Sequence, residues 1–267
     1  MTATRVAAIQ MVSAPDVEFN LAAAGRLVAR AAEGGAKIAA LPEFFCVLGG
    51  RDADKLKVRE RDGAGRIQDF LAETARSNAI WLVGGTVPIE CGDEARVRNA
   101  CLVFDDAGNR IARYDKIHLF EYHGAERYDE TRTIEPGDEP LAIGSPFGRL
   151  GLSVCYDLRF PELYRRFADV DCWFVPSAFT ATTGAAHWET LLRARAIENL
   201  CYVVAPAQGG RHPNGRVTHG HTMIVDPWGV VLEERAEGEG VVLAELDAKR
   251  LVEVRQSLPA LQNRKLS

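Results

Sequence analysis

The sequence predicts an α/β fold: a four-layer α-β-β-α sandwich, with two mixed sheets face to face and helices outside, as a single domain over residues 1–267. Three observations carry this expectation. Apolar runs of strand length alternate with longer stretches of helical periodicity, and the order β-α-β-α-β occurs twice, each time followed by further strands. Gly and Pro are spread along the chain, with no linker-like stretch between the halves.

Taken in order, "RVAAIQM" (5–11) reads as a buried strand, and "DVEFNLAAAGRLVARAAEGG" as an amphipathic helix opening near Asp16 and closing at Gly34-Gly35. "KIAALPE" (37–43) is a second strand. Parallel to the first, it places Glu43 just past its carboxyl end, where α/β sheets usually carry chemistry. "IQDFLAETARSNA" is helical and "IWLVGGTVPIE" a strand. "VRNACLVFDDAGNRIARYDK" forms a hairpin turning at Asp106 to Asn109 and delivering Lys116 at its far end. Residues 117–147 have little periodicity and much charge, as a long functional loop does. Order resumes with strand 149–154, helix "FPELYRRFA", strand "DCWFVPS", helix "AAHWETLLRARAIENL", strand "CYVVAPA" and the hairpin "HTMIVDPWGVVLEE".

Composition excludes several classes. With 47% hydrophobic and 26% charged residues the chain is neither disordered nor fibrous. A net charge of −5 offers no basic footprint for nucleic acid. No run reaches the roughly 18 apolar residues of a membrane span, and the N-terminus lacks a basic, secretory-type leader, so a cytoplasmic protein without membrane partners is expected. The six cysteines are scattered without a C-x-x-C pair, which argues for neither a zinc knuckle nor a disulfide framework.

Three reactive groups fall at ends of predicted strands: Glu43 after "IAALP", Lys116 after "RIARYD" and Cys155 after "LGLSV". A carboxylate, an ammonium and a thiol suffice for acyl transfer. The carboxylate takes the thiol proton, the thiolate attacks a carbonyl or nitrile carbon, and Lys116 with the Tyr156 backbone N–H receives the oxyanion. This chemistry requires neither metal nor cofactor.

The segments "LPEFF", "YDKIHLF" and "GLSVCYDLRFPEL" resemble, in order and separation, the three signature segments of the nitrilase superfamily of carbon–nitrogen hydrolases. The likeness continues through "PSAFTATTGAAHWETLLRARAIEN", "GHTMIVDPWG" and "LPALQNRK", which are similar to the Nit branch. The resemblance implies an α-β-β-α fold, a homodimer or larger homo-oligomer, and a triad of Glu43 as general base, Lys116 as oxyanion stabiliser and Cys155 as nucleophile. It also implies a second glutamate in the loop after the lysine; "ETRTIEPGD" points to Glu130, with Glu121 and Glu126 as competitors.

"AQGGRHPNGR" (207–216) resembles the loop of enzymes that hydrolyse deaminated glutathione more than that of ω-amidases. Either activity implies a small, anionic amide substrate. Arg159, Arg193, Arg195 and Arg211 are candidates to bind its carboxylate, Phe179 and Trp188 to wall the pocket, and His187 to contact substrate. N-carbamoyl amino acid hydrolase and nitrilase activities stand as alternatives on the same scaffold.

Plainer readings stand beside these. Cys46, Cys91, Cys101, Cys172 and Cys201 suit small core fillers. Arg193 and Arg195 lie at helical spacing and suit a solvated, ion-paired face. A Cys155 dyad with His118 or His187 is a rival pairing, although papain-type local signatures are absent. A thiol-redox role or a non-catalytic binding module would need no Glu43–Lys116–Cys155 set.

Overall fold

The computed structural model describes residues 3–124 and 127–265. Its first half runs β1 (Thr4–Gln10), α1 (Val17–Glu33), β2 (Ile38–Ala40), α2 (Arg66–Ser77), β3 (Trp81–Val83), β4 (Val87–Glu90), β5 (Val97–Phe104) and β6 (Arg110–Asp115). A small hairpin of β7 (Glu121–His123) and β8 (Arg127–Asp129) leads to β9 (Leu141–Ser145), β10 (Gly148–Leu152), α3 (Pro161–Arg165), β11 (Cys172–Phe174), α4 (Ala181–Asn199) and β12 (Tyr202–Ala205). The chain then forms the hairpin of β13 (Gly209–Arg211) and β14 (Val217–His219), followed by β15 (Thr222–Val225), β16 (Val231–Arg235), β17 (Gly240–Leu246) and α5 (Ala248–Ser257).

The seven-stranded sheet has the order β17-β1-β2-β3-β5-β4, with β6 beside β5, and the six-stranded sheet the order β16-β15-β12-β11-β10-β9. Within them β1, β2 and β3 are mutually parallel, as are β10, β11 and β12. Alternation along β1 shows why the layers form. Val6 and Ala8 point into the core shared with the second sheet, while Ala7 and Ile9 pack on Leu21, Ala24 and Val28 of α1 and, through that cluster, Leu71 of α2. Both faces are covered, so the strand is apolar throughout. On the far side Leu163 and Tyr164 of α3 and Trp188, Leu192 and Ala196 of α4 join the core of β10 to β12. The result is the expected helix-sheet-sheet-helix order, each fully buried Leu or Ile contributing about 1.5–3 kcal/mol.

The element ends follow local chemistry. Asp16 caps α1 by accepting the Phe19 N–H (2.9 Å), and the helix stops at Gly34 and Gly35. Proline opens α3 at its first position.

Two expectations are corrected, and one pairing is new. "IWLVGGTVPIE" is two strands, because Gly85 (φ +59) turns the chain so tightly that a Cβ there would stand 2.2 Å from the Pro42 carbonyl oxygen. The loop 117–147 contains the β7–β8 hairpin and the strand β9, which pairs antiparallel with β10. The seventh strand of the first sheet, β17, comes from near the chain's C-terminus and pairs with all seven residues of β1. No helix among the described residues is long and apolar enough to cross a membrane.

Candidate active site

Glu43, Lys116, Glu130 and Cys155 converge where the carboxyl ends of the two sheets meet. Glu43 lies three residues past β2 and is followed by Phe44 in a left-handed conformation (φ +55), whose N–H is held by Thr86 Oγ1 (2.9 Å). Lys116 immediately follows β6. Its N–H donates to the Asn99 carbonyl (3.1 Å) and its own carbonyl accepts the Gly137 N–H (2.8 Å). That approach requires glycine, since a Cβ on Gly137 would meet the Asp115 carbonyl oxygen at 2.2 Å. Cys155 opens a 3-10 turn over Cys155–Arg159 with φ +50, its N–H donating to the Pro176 carbonyl (3.0 Å). Such a conformation in a non-glycine residue persists only where its surroundings fix it.

The side chains form one network. Lys116 Nζ, fully buried, donates to Glu43 Oε1 (2.9 Å) and to Glu130 Oε2 (2.7 Å). Asn99 Nδ2 donates to the same Glu43 oxygen (2.9 Å), and the Phe120 N–H to the same Glu130 oxygen (2.7 Å). The Cys155 thiol lies within electrostatic reach of the Glu43 carboxyl group, with the Ala178 N–H lowering the cost of a thiolate. The neighbouring Tyr156 N–H makes no backbone hydrogen bond among the described residues.

Burial and charge set the protonation of this cluster. Burial pushes Glu43 above the ordinary carboxylate range, and the Glu130 charge adds to it against the pull of Lys116. Glu130 is also pushed up by burial, but Lys116 and then Lys55 outweigh that and hold it low. Burial alone would depress Lys116; the charges of Glu130 and Glu43 instead raise it well above its usual value. Burial, then the Glu43 carboxylate, push the Cys155 thiol far up. The cluster therefore favours a neutral thiol, an ammonium at Lys116 and an ionised Glu130, an arrangement in which the thiol needs a base to react. A narrow cleft leads to it, lined among others by Phe120, Cys155, Tyr156, Arg159, Phe179 and Thr183.

The sequence pattern of the carbon–nitrogen hydrolases matches residues 5–256. The chain belongs to that family. A deaminated glutathione amidase of Synechocystis sp. is 43% identical over 265 residues, 97% of each chain. The omega-amidase of Homo sapiens is 36% identical over 274 residues, 99% of this chain and 96% of its own. Among solved structures, a Saccharomyces cerevisiae member of branch 10 of the nitrilase superfamily superposes with a TM-score of 0.90 at 31% identity, over 99% of this chain and 97% of its own.

In this carbon–nitrogen hydrolase the remaining candidates fall into distinct places. Arg159 and Phe179 wall the cleft, the guanidinium lying 5.7 Å from the Phe179 ring centroid and 5.6 Å from that of Tyr156. His187 is outside the cleft lining; its Nδ1 accepts from Arg159 (3.2 and 3.3 Å), so it steadies that arginine. Arg193 is spent on the Gly229 carbonyl (2.8 Å) and Glu189 (3.2 Å) and does not reach the cleft. Arg211 is exposed on β13 and does not line the cleft. Arg195 is neither a substrate ligand nor a solvated charge. It is buried and donates twice to the Leu158 carbonyl (3.0 and 2.7 Å), clamping the turn that carries Cys155. Trp188 packs behind Phe179, ring centroids 4.8 Å apart. Glu121 pairs with His123 on β7, away from Lys116, and Glu126 lies outside the described residues. His118 does not partner Cys155: its Nδ1 meets Asp157 (2.7 Å) and its ring stacks on Phe160.

Two positioning residues went unnoticed in the sequence. Asp157, fully buried, accepts from Tyr114 Oη (2.7 Å), the Val154 N–H (2.8 Å), the His118 N–H (2.9 Å) and the His118 ring. It thus ties the turn of Cys155 to the strand that carries Lys116. Asn99 was signalled by its polar side chain within the apolar run "NACLVF", but nothing local said which carboxylate it would meet.

Proposed function

We infer that the chain is a cysteine amidase acting on a non-peptide C–N bond of a small anionic amide, deaminated glutathione or a related amide of an α-keto dicarboxylic acid. One observation carries this reading: a neutral, buried thiol beside a carboxyl group that is itself held by a buried lysine.

Glu43 takes the thiol proton as Cys155 Sγ attacks the amide carbon. The oxyanion of the tetrahedral intermediate is met by Lys116 Nζ and the Tyr156 N–H, donors typically worth about 10²- to 10³-fold in rate each. Collapse breaks the C–N bond, Glu43 gives its proton to the departing nitrogen, and a thioester remains. Glu43 then deprotonates a water that attacks the thioester, and the released thiolate recovers its proton. Glu130 does not exchange protons in this scheme; held ionised, it fixes Lys116 as an ammonium aimed at the reacting carbon. Arg159, over Phe179 in the cleft, is placed to receive a carboxylate on the acyl portion. The names of the Synechocystis and human relatives support amides of this kind.

The test is intact-mass detection of an acyl adduct on Cys155 from deaminated glutathione, α-ketoglutaramate, N-carbamoyl amino acids and simple nitriles, together with kinetics of Cys155→Ala, Glu43→Gln and Lys116→Met. A thioester from the first two compounds is expected, with each variant losing about 10³-fold or more in kcat. Near-wild-type hydrolysis by any of the three variants sinks the mechanism, and no adduct from any compound sinks the substrate class.

A further inference from the structure

A second recess adjoins the cleft, with Phe120 common to both, lined among others by Phe44, Lys55, Tyr128, Glu130 and Arg216. The cleft holds Cys155 and Arg159; the recess holds Glu130 and the residue directly after Glu43. In any acyl transfer at Cys155 the acyl group stays on the sulfur side. The amine leaves from the side of the acid that protonates it, and Phe44, the residue after Glu43, lines the recess.

The carboxylates Asp129 and Glu130 of the recess are engaged, whereas its cations Lys55 and Arg216 have no ion pair within 4.0 Å among the described residues. Asp129 accepts from Arg132 Nε (3.0 Å) and the Thr131 N–H (3.1 Å), and Glu130 from Lys116 and the Phe120 N–H. Arg51 leans on Asp54 (3.7 Å). Arg216 lies over the Tyr128 ring, 5.1 Å from its centroid, and its Nε is buried with no hydrogen-bond partner among the described residues. A buried N–H without an acceptor is costly, and native structures rarely keep one without a use. The loop cannot simply turn it outward. Asn214 Nδ2 is fixed on the Leu48 and Gly49 carbonyls (3.0 and 2.7 Å), and buried His212 bridges the Ser13 carbonyl (2.9 Å) and Thr218 Oγ1 (2.8 Å). Lys55 adds a second cation, its Nζ 3.2 Å from Thr133 Oγ1 and over the Phe44 ring.

We propose that this recess receives the amine half of the substrate, and that Arg216, assisted by Lys55, binds a carboxylate carried by that amine. The preferred leaving group is then an amino acid or short peptide with a free carboxylate rather than ammonia. A planar guanidinium stacked on an aromatic ring suits paired hydrogen bonds to such a group. The proposal rests on the amidase reading above. No new bond chemistry is involved: the C–N bond breaks as already described, and the released amine keeps the Glu43 proton.

The experiment measures binding of deaminated glutathione and of its C-terminal carboxamide to the Cys155→Ala protein by calorimetry, then repeats both with Arg216→Met and Arg216→Lys added. The free carboxylate is expected to bind about tenfold or more tighter than the carboxamide, as a charge-assisted hydrogen bond predicts. Arg216→Met should erase that preference and Arg216→Lys keep part of it. Because the preference is a ratio within each protein, general damage to folding does not mimic its loss. Equal binding of the two compounds, no binding of either, or a preference that survives Arg216→Met overturns the proposal. A thioester on Cys155 without any carboxylate preference refutes the recess alone, whereas absence of the thioester refutes the amidase reading.

Discussion

The two sheets bring their reactive groups to the site in different ways. Beyond β2, Glu43 is a charged group held by side-chain donors, Lys116 Nζ and Asn99 Nδ2, on the same oxygen. Beyond β10, Cys155 is a neutral group held by its backbone: a left-handed φ, an N–H pinned to Pro176, and a turn clamped by Asp157 and Arg195. The first arrangement controls how readily a proton is taken; the second controls where the sulfur points. Removing a partner on the first side should therefore move pH dependence, and removing one on the second should cost stability and rate without moving it.

The largest effect is expected on the sulfur side. Asp157→Ala leaves four donors facing an empty place in the core, a loss of about 3–5 kcal/mol by analogy with other buried charged acceptors. Urea denaturation measures it, and kcat should fall in the folded protein while the acid limb of the pH–rate profile stays put. A loss below about 1 kcal/mol would remove Asp157 from its role as the tie between the turn and β6.

Asn99→Leu probes the charged side. Asn99 donates to the ionised form of Glu43, so its removal raises a carboxyl pKa that burial already holds high. In the proposed mechanism Glu43 acts as base when ionised, so activity disappears as pH falls through that pKa, and the acid limb of kcat/KM should move to higher pH by about 0.5–1 unit, from one hydrogen bond at 1.36 kcal/mol per unit. An unmoved or lowered limb breaks the distinction between the two sides. The smallest effect is expected at Arg211→Ala: exposed and outside both cavities, it should leave kcat/KM within about twofold of wild type and stability within about 0.5 kcal/mol.

The same division explains what could be read in the sequence. Glu43 and Cys155 are legible because each follows an apolar strand in a β-α-β unit, and Lys116 because it closes a hairpin with a clear turn; strand ends are fixed by periodicity. The walls are not legible. Arg193, Arg195, Arg211 and Arg216 are alike in one dimension, and their fates depend on which carbonyl, carboxylate or ring the fold brings near: the Leu158 carbonyl for Arg195, the Tyr128 ring for Arg216. Likewise β3 and β4 read as one strand because the contact that breaks them, Gly85 against Pro42, lies more than forty residues away in sequence.

The pairing of β17 with β1 along seven residues has a consequence for synthesis. As the chain emerges, the first half can form its parallel core of β1, β2 and β3, but one side of β1 waits for residues 240–246. Until then that side presents a row of unpaired peptide groups, the kind of edge that invites pairing with another chain. Cys155 is translated well before β17, so its thiol exists in the nascent protein before the sheet that leads to Glu43 is closed. Long-range closure of this type slows folding, and the interval between the synthesis of β1 and β17 is the period in which the protein is most exposed to aggregation.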